Sequence, residues 1–417
     1  MDLSLGIDFG TSGARAIAID PNGDIVAQVS VTASLDWERM LWQLLRALPI
    51  EVRSRLSRIA INGTSSTVLL CDHAGIPVTT PLLYNDDRGG SVLEQIRAIA
   101  PAQHTVMSAT SSLAKLLWWQ ANHKSFSDAR YLLHQADWLA FQLHGQLGIS
   151  DYHNSLKLGY DVERLKYPEW LPLQELLPIV VEPGSAIGLI QPTIAKRFQI
   201  PAICEICAGT TDSIAAFIAS QANESGDAVT SLGSTLVLKL LSDTRIDQAD
   251  FGIYSHRFGD RWLVGGASNT GGAVLQQFFT SDELRELSDR IPNQESQLDY
   301  YPLLQPGERF PMNDPTLAPR LQPRPSDRVE FLHGLLESMA RIEAQGYRLL
   351  ESLGAISLKR VLTAGGGAKN AAWTAIRQRH LGVSVMSAAQ TEAAYGTALL
   401  AMRGCLESRV RRLEPEN

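Results

Sequence analysis

The chain opens on closely set apolar residues, Leu3, Leu5 and Ile7, with only small residues between them, up to Asp8. That is the pattern of a buried strand over 3–8. A glycine-bearing turn at 9–13 leads into a second strand over 14–20. Asn22-Gly23 then supplies hairpin-turn chemistry before a third strand over 25–31. The start is therefore an antiparallel three-strand meander. Helical spacing follows at 37–48, a short buried strand at 58–63, and an apolar run at 67–71 that stops at the turn His73-Ala74-Gly75. Residues 111–120 and 136–143 read as helices and 183–188 as loop. A strand over 202–207 runs into a loop at 208–212, and a helix follows over 213–220.

The pattern then restarts. A strand over 228–232, a turn at Gly233-Ser234 and a strand over 235–241 repeat the opening arrangement. Asp8-Phe9-Gly10-Thr11-Ser12 aligns with Ser231-Leu232-Gly233-Ser234-Thr235. Because each copy opens one half of the chain, the repeat predicts two like-folded lobes. Its physical purpose is a phosphate clamp, in which two facing hairpin turns offer backbone N–H groups to one triphosphate. Strands or helices continue at 262–265, 272–279, 329–353, 358–363, 371–380 and 391–404. The proline-rich stretch 302–325 reads as a surface excursion.

Composition narrows the function. The 417 residues suffice for two domains, and 45% hydrophobic with 19% charged residues is globular usage. The net charge of −7 argues against a nucleic-acid binder; the one basic cluster, Arg409, Arg411 and Arg412, is a tail. No apolar run reaches membrane-spanning length. The first residues show no leader pattern, and the four cysteines are few, so the expected setting is cytoplasmic. Cys204 and Cys207 form one C-x-x-C without a second pair. They are expected to be buried strand thiols.

Four segments carry a resemblance to a known family. They are G-I-D-F-G-T-S-G-A-R-A (6–16), A-G-T-T-D-S (208–213), S-L-G-S-T (231–235) and T-A-G-G-G-A-K-N (363–370). S-D-Y-H-N-S (150–155) and G-G-A-S-N-T-G-G (265–272) support them. In order and spacing these resemble the FGGY carbohydrate kinases over nearly the whole chain. The resemblance implies an α/β, two-lobed actin-like ATPase fold built from duplicated ribonuclease H-like domains, with an interdomain cleft. A sugar-binding and catalytic lobe is expected over 1–220 and a nucleotide-binding lobe over 221–392. A C-terminal helix, 393–417, returns towards the first lobe. The chain is short for the family and most resembles the compact cyanobacterial and plant-type D-ribulose kinases. T-S-S-T-V-L-L-C-D (64–72) departs from the Gly-Gln-Met-His type of sequence usual in xylulose kinases. Y-N-D-D-R (84–88) is similar to the sugar-contacting W-N-D-x-R of larger members.

Phosphoryl transfer from ATP needs a phosphate cradle, Mg²⁺, an in-line hydroxyl and a group to take its proton. The cradle is Gly10, Thr11, Ser12 and Gly13 facing Gly233 and Ser234, with no P-loop present. Asp8, a carboxylate just before the cradle, would repel phosphate unless a cation lies between, so it is assigned to Mg²⁺. Asp212 is the candidate general base. Gly209, Thr210 and Thr211 precede it at a helix N-terminus, where N–H groups stabilise phosphoryl charge. Ser65 and Asp212, with Asp86 and Asp8 beside them, are the candidates for sugar contact. Gly366, Gly367 and Asn370 are expected to shape the adenine pocket, with Gly266 nearby. The expected activity is ATP-dependent phosphorylation of a ketopentose, D-ribulose foremost, by a monomer or homodimer. D-xylulose, ribitol or glycerol are alternative acceptors. An actin-like ATPase with a macromolecular partner is the alternative from another class.

Overall fold

The structure is a computed structural model that describes residues 2–404. Cys405 and the basic tail lie outside the described residues. The chain forms two compact units. One takes the described residues through Ala219 and those from Glu392 onward; the other is Ser220–Thr391.

The first unit contributes β1 (Leu3–Gly10), β2 (Gly13–Ile19), β3 (Ile25–Thr32), β4 (Leu56–Gly63), β5 (Val68–Cys71), β6 (Tyr131–His134), β7 (Ile149–Asp151), β8 (Ile179–Val181), β9 (Ala186–Leu189) and β10 (Glu205–Thr211). The second contributes β11 (Asp227–Leu232), β12 (Leu236–Ser242), β13 (Tyr254–Phe258), β14 (Arg261–Ser268), β15 (Arg360–Ala364) and β16 (Ser384–Ser387). The main sheets run β3-β2-β1-β4-β10-β9 and β13-β14-β12-β11-β15-β16. Without β9 and β13, both have one topology. An antiparallel meander is followed by two strands parallel to its first member. Topology thus carries the duplication that two short glycine turns announce.

Alternation sets the cores. Leu3, Leu5, Ile7 and Phe9 of β1 pack with Leu41 and Leu44 of the helix Trp37–Ala47 and with Leu139. Leu236, Leu238 and Leu240 of β12 pack with Leu332, Leu335 and Met339 of the helix Arg328–Ser352. The helix Ala393–Arg403 belongs to the first unit. Thr397 Oγ1 accepts from Asn62 Nδ2 at 2.6 Å, and the Tyr395 hydroxyl donates to the Gly23 carbonyl at 3.0 Å.

Several expectations change. Residues 186–188, read as loop, form β9 together with Leu189, because they pair with β10 at the sheet edge. Residues 208–211, also read as loop, extend β10, since β4 offers them a parallel partner. β13, β16 and the helix Ser281–Ser288 were not anticipated. Cys71, Cys204 and Cys207 are free, buried thiols, each pushed up to about 12 chiefly by burial. No helix among the described residues is long and apolar enough to cross a membrane.

Candidate active site

In open α/β sheets, ligands meet the carboxyl ends of parallel strands. In the first unit β1, β4 and β10 are mutually parallel, so their carboxyl ends share one edge. That edge carries the Gly10–Gly13 turn, the 64–67 loop with Ser65, and Asp212. One level down, Asp8, Asn62 and Thr210 lie side by side in register across the three strands.

The first turn is a two-residue hairpin loop closed by the Gly10–Gly13 pair, with Thr11 and Ser12 exposed. Gly13 has φ +154°, and a Cβ there would lie 2.4 Å from the Val31 carbonyl oxygen. Only glycine lets β3 approach this closely. Asp8 is half-buried, and its Oδ1 has no hydrogen-bond partner. Burial, then the charge of Asp212, push the Asp8 carboxyl up to about 7; Arg15 opposes this and is itself paired with Glu392 at 2.5 Å. Thr211 Oγ1, at the end of β10, is also buried without a partner. An orphaned carboxylate oxygen that feels the charge of a second carboxylate suits a divalent cation, and Asp8 fits that assignment.

Asp212 is the first residue of the helix Asp212–Ser220, and its Oδ1 accepts from the Ser213 backbone N–H at 2.7 Å. Behind it runs a buried polar chain that joins the 150–155 segment to Thr210, a contact the sequence does not show. Thr210 Oγ1 meets His153 Nδ1 at 2.8 Å. Asp151 caps His153 and Asn154 through their backbone N–H groups. Burial, then Asp137, raise Asp151 to about 7. His153, in the 150–155 segment, thus braces β10 behind Asp212. Ser65 is half-buried beside the neighbouring carbonyl of Ser66, and Asp86 pairs with Arg88 at 2.8 Å.

The second unit repeats the plan. β11, β15 and β16 are parallel, and Gly233-Ser234 and Gly365–Gly367 follow the first two. Gly365 has φ +83°, and a Cβ would lie 2.6 Å from the Leu232 carbonyl oxygen, so the two turns touch. A Cβ on Gly366 would meet nothing within 4 Å, which leaves one face of that turn open. Beneath the turns Arg377 and Glu343, both fully buried, form a two-contact ion pair at 2.6 and 2.8 Å. Arg377 also donates to Thr363 Oγ1 of β15 at 2.7 Å, and Glu343 accepts from Thr230 Oγ1 of β11 at 2.6 Å.

Three expected cofactor contacts have other work. A Cβ on Gly266 would lie 2.4 Å from the Phe310 ring, so this glycine serves core packing. A Cβ on Gly209 would lie 1.8 Å from the Ile61 carbonyl oxygen, so Gly209 lets β10 pass β4 at a register shift. Asn370 caps the helix Ala371–Leu381, accepting from Trp373 N–H at 2.9 Å, and its Nδ2 donates to Ser288 at 2.8 Å. Both ends of its amide are engaged within the protein.

Asp8 makes the stability of the ligand-free fold depend on pH. Its folded-state pKa of about 7 lies above the ordinary 3.8. The ligand-free fold therefore keeps a proton that the unfolded chain releases, and stability falls as pH rises between those values. Asp8→Asn should be more stable than the parent at pH 8, on the order of 1–3 kcal/mol, and nearly equal to it at pH 4. Thermal unfolding at both pH values checks this; a variant no more stable at pH 8 refutes it.

Comparison with known proteins agrees with this architecture. The model of the FGGY family of carbohydrate kinases, N-terminal domain, matches residues 3–219, and that of its C-terminal domain matches 228–405. The chain belongs to the FGGY family of carbohydrate kinases. L-fuculokinase of Salmonella typhi is 25% identical, over 97% of this chain and 92% of that protein. Xylulose kinase of Bacillus subtilis (strain 168) is 23% identical, over 97% and 88%. Among solved structures, a xylulose kinase from Lactobacillus acidophilus superposes with TM-score 0.84 at 18% identity, covering 97% of this chain and 89% of that one. Plasmodium falciparum glycerol kinase with ADP gives 0.84 at 17%, covering 96% and 89%.

Proposed function

We propose that this chain transfers the γ-phosphoryl group of ATP to the terminal hydroxyl of a small ketose, D-ribulose being the first candidate. The observation that carries the reading is the shared sheet edge. A carboxylate suited to a cation, a glycine hairpin, a serine loop and a second carboxylate at a helix start occupy the ends of three parallel strands. Asp212 takes the proton of the sugar hydroxyl as it attacks. The amides of the Gly10–Gly13 and Gly233-Ser234 turns hold phosphate oxygens, and the open face at Gly366 receives the nucleoside. Asp8 holds Mg²⁺, which neutralises phosphate charge when bound.

D-ribulose rests on the 64–72 segment, which lacks the xylulose-kinase pattern. D-xylulose is the second reading, because several of the relatives are xylulose kinases. Coupled ADP release with Mg-ATP over D-ribulose, D-xylulose, L-ribulose, ribitol, glycerol, L-fuculose and D-gluconate decides between them. D-ribulose should give the highest kcat/KM. Preference for D-xylulose would replace the first reading by the second. ADP release indifferent to every sugar would refute both.

A further inference from the structure

Lys115 lies in the first turn of the helix Ser112–Asn122 and is fully buried. A buried ammonium ordinarily pairs with a carboxylate. This one donates instead to two backbone carbonyls, Ser66 at 2.7 Å and Leu83 at 2.6 Å. Burial draws it down to about 8, with Asp86 opposing and Lys157 adding to the shift.

The two carbonyls identify what is being held. Ser66 follows Ser65 in the loop after β4. It is a non-glycine residue at φ 63°, and its own hydroxyl is buried without a partner. Left-handed backbone of this kind is unfavourable for a residue with a side chain and persists only where its surroundings enforce it. Leu83 opens the other segment, which carries Asp86 and Arg88. The same helix grips that segment twice more. Arg88 lies over the Trp118 ring at 4.8 Å, and a Cβ on Gly89 would sit 2.7 Å from Ala114 Cβ.

We infer that Lys115 is a positioning residue of the sugar site, clamping the Ser65 loop to the Asp86 segment so that both present their polar groups to one substrate. This rests on the sugar-kinase reading above. The clamp sets the spacing between two arms that lie far apart in sequence. Nucleotide binding, assigned to the glycine turns, does not pass through it.

The test uses Lys115→Met and Lys115→Arg in the full chain, with the parent's preferred sugar. Lys115→Met should raise the sugar KM by about 10- to 100-fold, the scale on which remote misplacement acts. It should flatten selectivity across the sugar panel and leave the ATP KM within about twofold. Lys115→Arg keeps the charge and should fall between parent and Met; should the Met variant fail to fold, the Arg variant decides alone. A parallel rise in the ATP KM, or lost thermal stability with the sugar KM unmoved, overturns the clamp. A parent that turns over no sugar overturns the kinase reading and the clamp together. A parent active on a sugar whose KM ignores Lys115 overturns the clamp alone.

Discussion

Asp212→Asn is expected to lower kcat for sugar phosphorylation by about 10²–10⁴-fold, the usual worth of a positioned general base, with the ATP KM little changed. The substitution is nearly isosteric. It keeps an oxygen able to accept from the Ser213 N–H, now made at 2.7 Å, so the helix start survives. What it removes is the proton acceptor and one negative charge. The second loss gives an independent readout. Asp212 is one cause of the raised pKa of Asp8, so its neutralisation should let the Asp8 carboxyl fall below about 7. Single-turnover kinetics with saturating Mg-ATP measures the first effect, and NMR titration of Asp8 in the ligand-free protein measures the second. A variant that retains more than about a tenth of the parent kcat is incompatible with the role of base. An unmoved Asp8 would mean the two carboxylates do not share a site.

What could be read from the chain and what could not divides along contact distance. The turn at Gly10–Gly13 is legible because its chemistry is local: a hairpin loop and a glycine where β3 approaches too closely for a side chain. The repeat at Gly233-Ser234 is legible for the same reason, and the shared sheet order shows that the repeat is architectural. Edge strands escape such reading. β9 and β16 are four residues each, largely exposed or half-buried, and are defined by backbone pairing that leaves little mark on composition. The strand ending at Thr211 looked like loop because Ala208-Gly209 interrupts its apolar run with residues that are poor strand formers; pairing with β4 overrides that preference.

Among site residues, the roles of Asp8 and Asp212 are local to their motifs, whereas the contacts of their supports are not. Lys115 occupies a helix whose pattern would put a lysine in solvent. It is buried by carbonyls 49 and 32 residues away. His153 reaches Thr210 across 57 residues. Gly266 and Asn370 sit within motif-like segments, yet one packs under Phe310 and the other caps a helix. A motif therefore locates a site more reliably than it assigns each residue a ligand.

The buried pair of the second unit carries the other large expectation. Glu343 and Arg377 are joined by two contacts and tied by Thr230 and Thr363 to adjacent strands, paired in register. Each strand runs on into a glycine turn. Removing one member leaves a buried charge without its counterion, which costs about 3–5 kcal/mol. Replacing both costs Thr363 its donor but leaves no naked charge, and Thr230 keeps the Tyr347 hydroxyl at 2.8 Å. Arg377→Met should therefore destabilise the second unit by about that amount, and Glu343→Gln with Arg377→Met should recover part of it. Hydrogen exchange at the β11 and β15 amides reports this locally, without assuming that the two units unfold together. Because the strands carry the Gly233-Ser234 and Gly365–Gly367 turns, the single variant should also raise the ATP KM while leaving the sugar KM near the parent value. Exchange rates unchanged in β11 and β15 would show that the pair is neutral to stability. A sugar KM that rises with that for ATP would show that the pair does not act through the nucleotide turns.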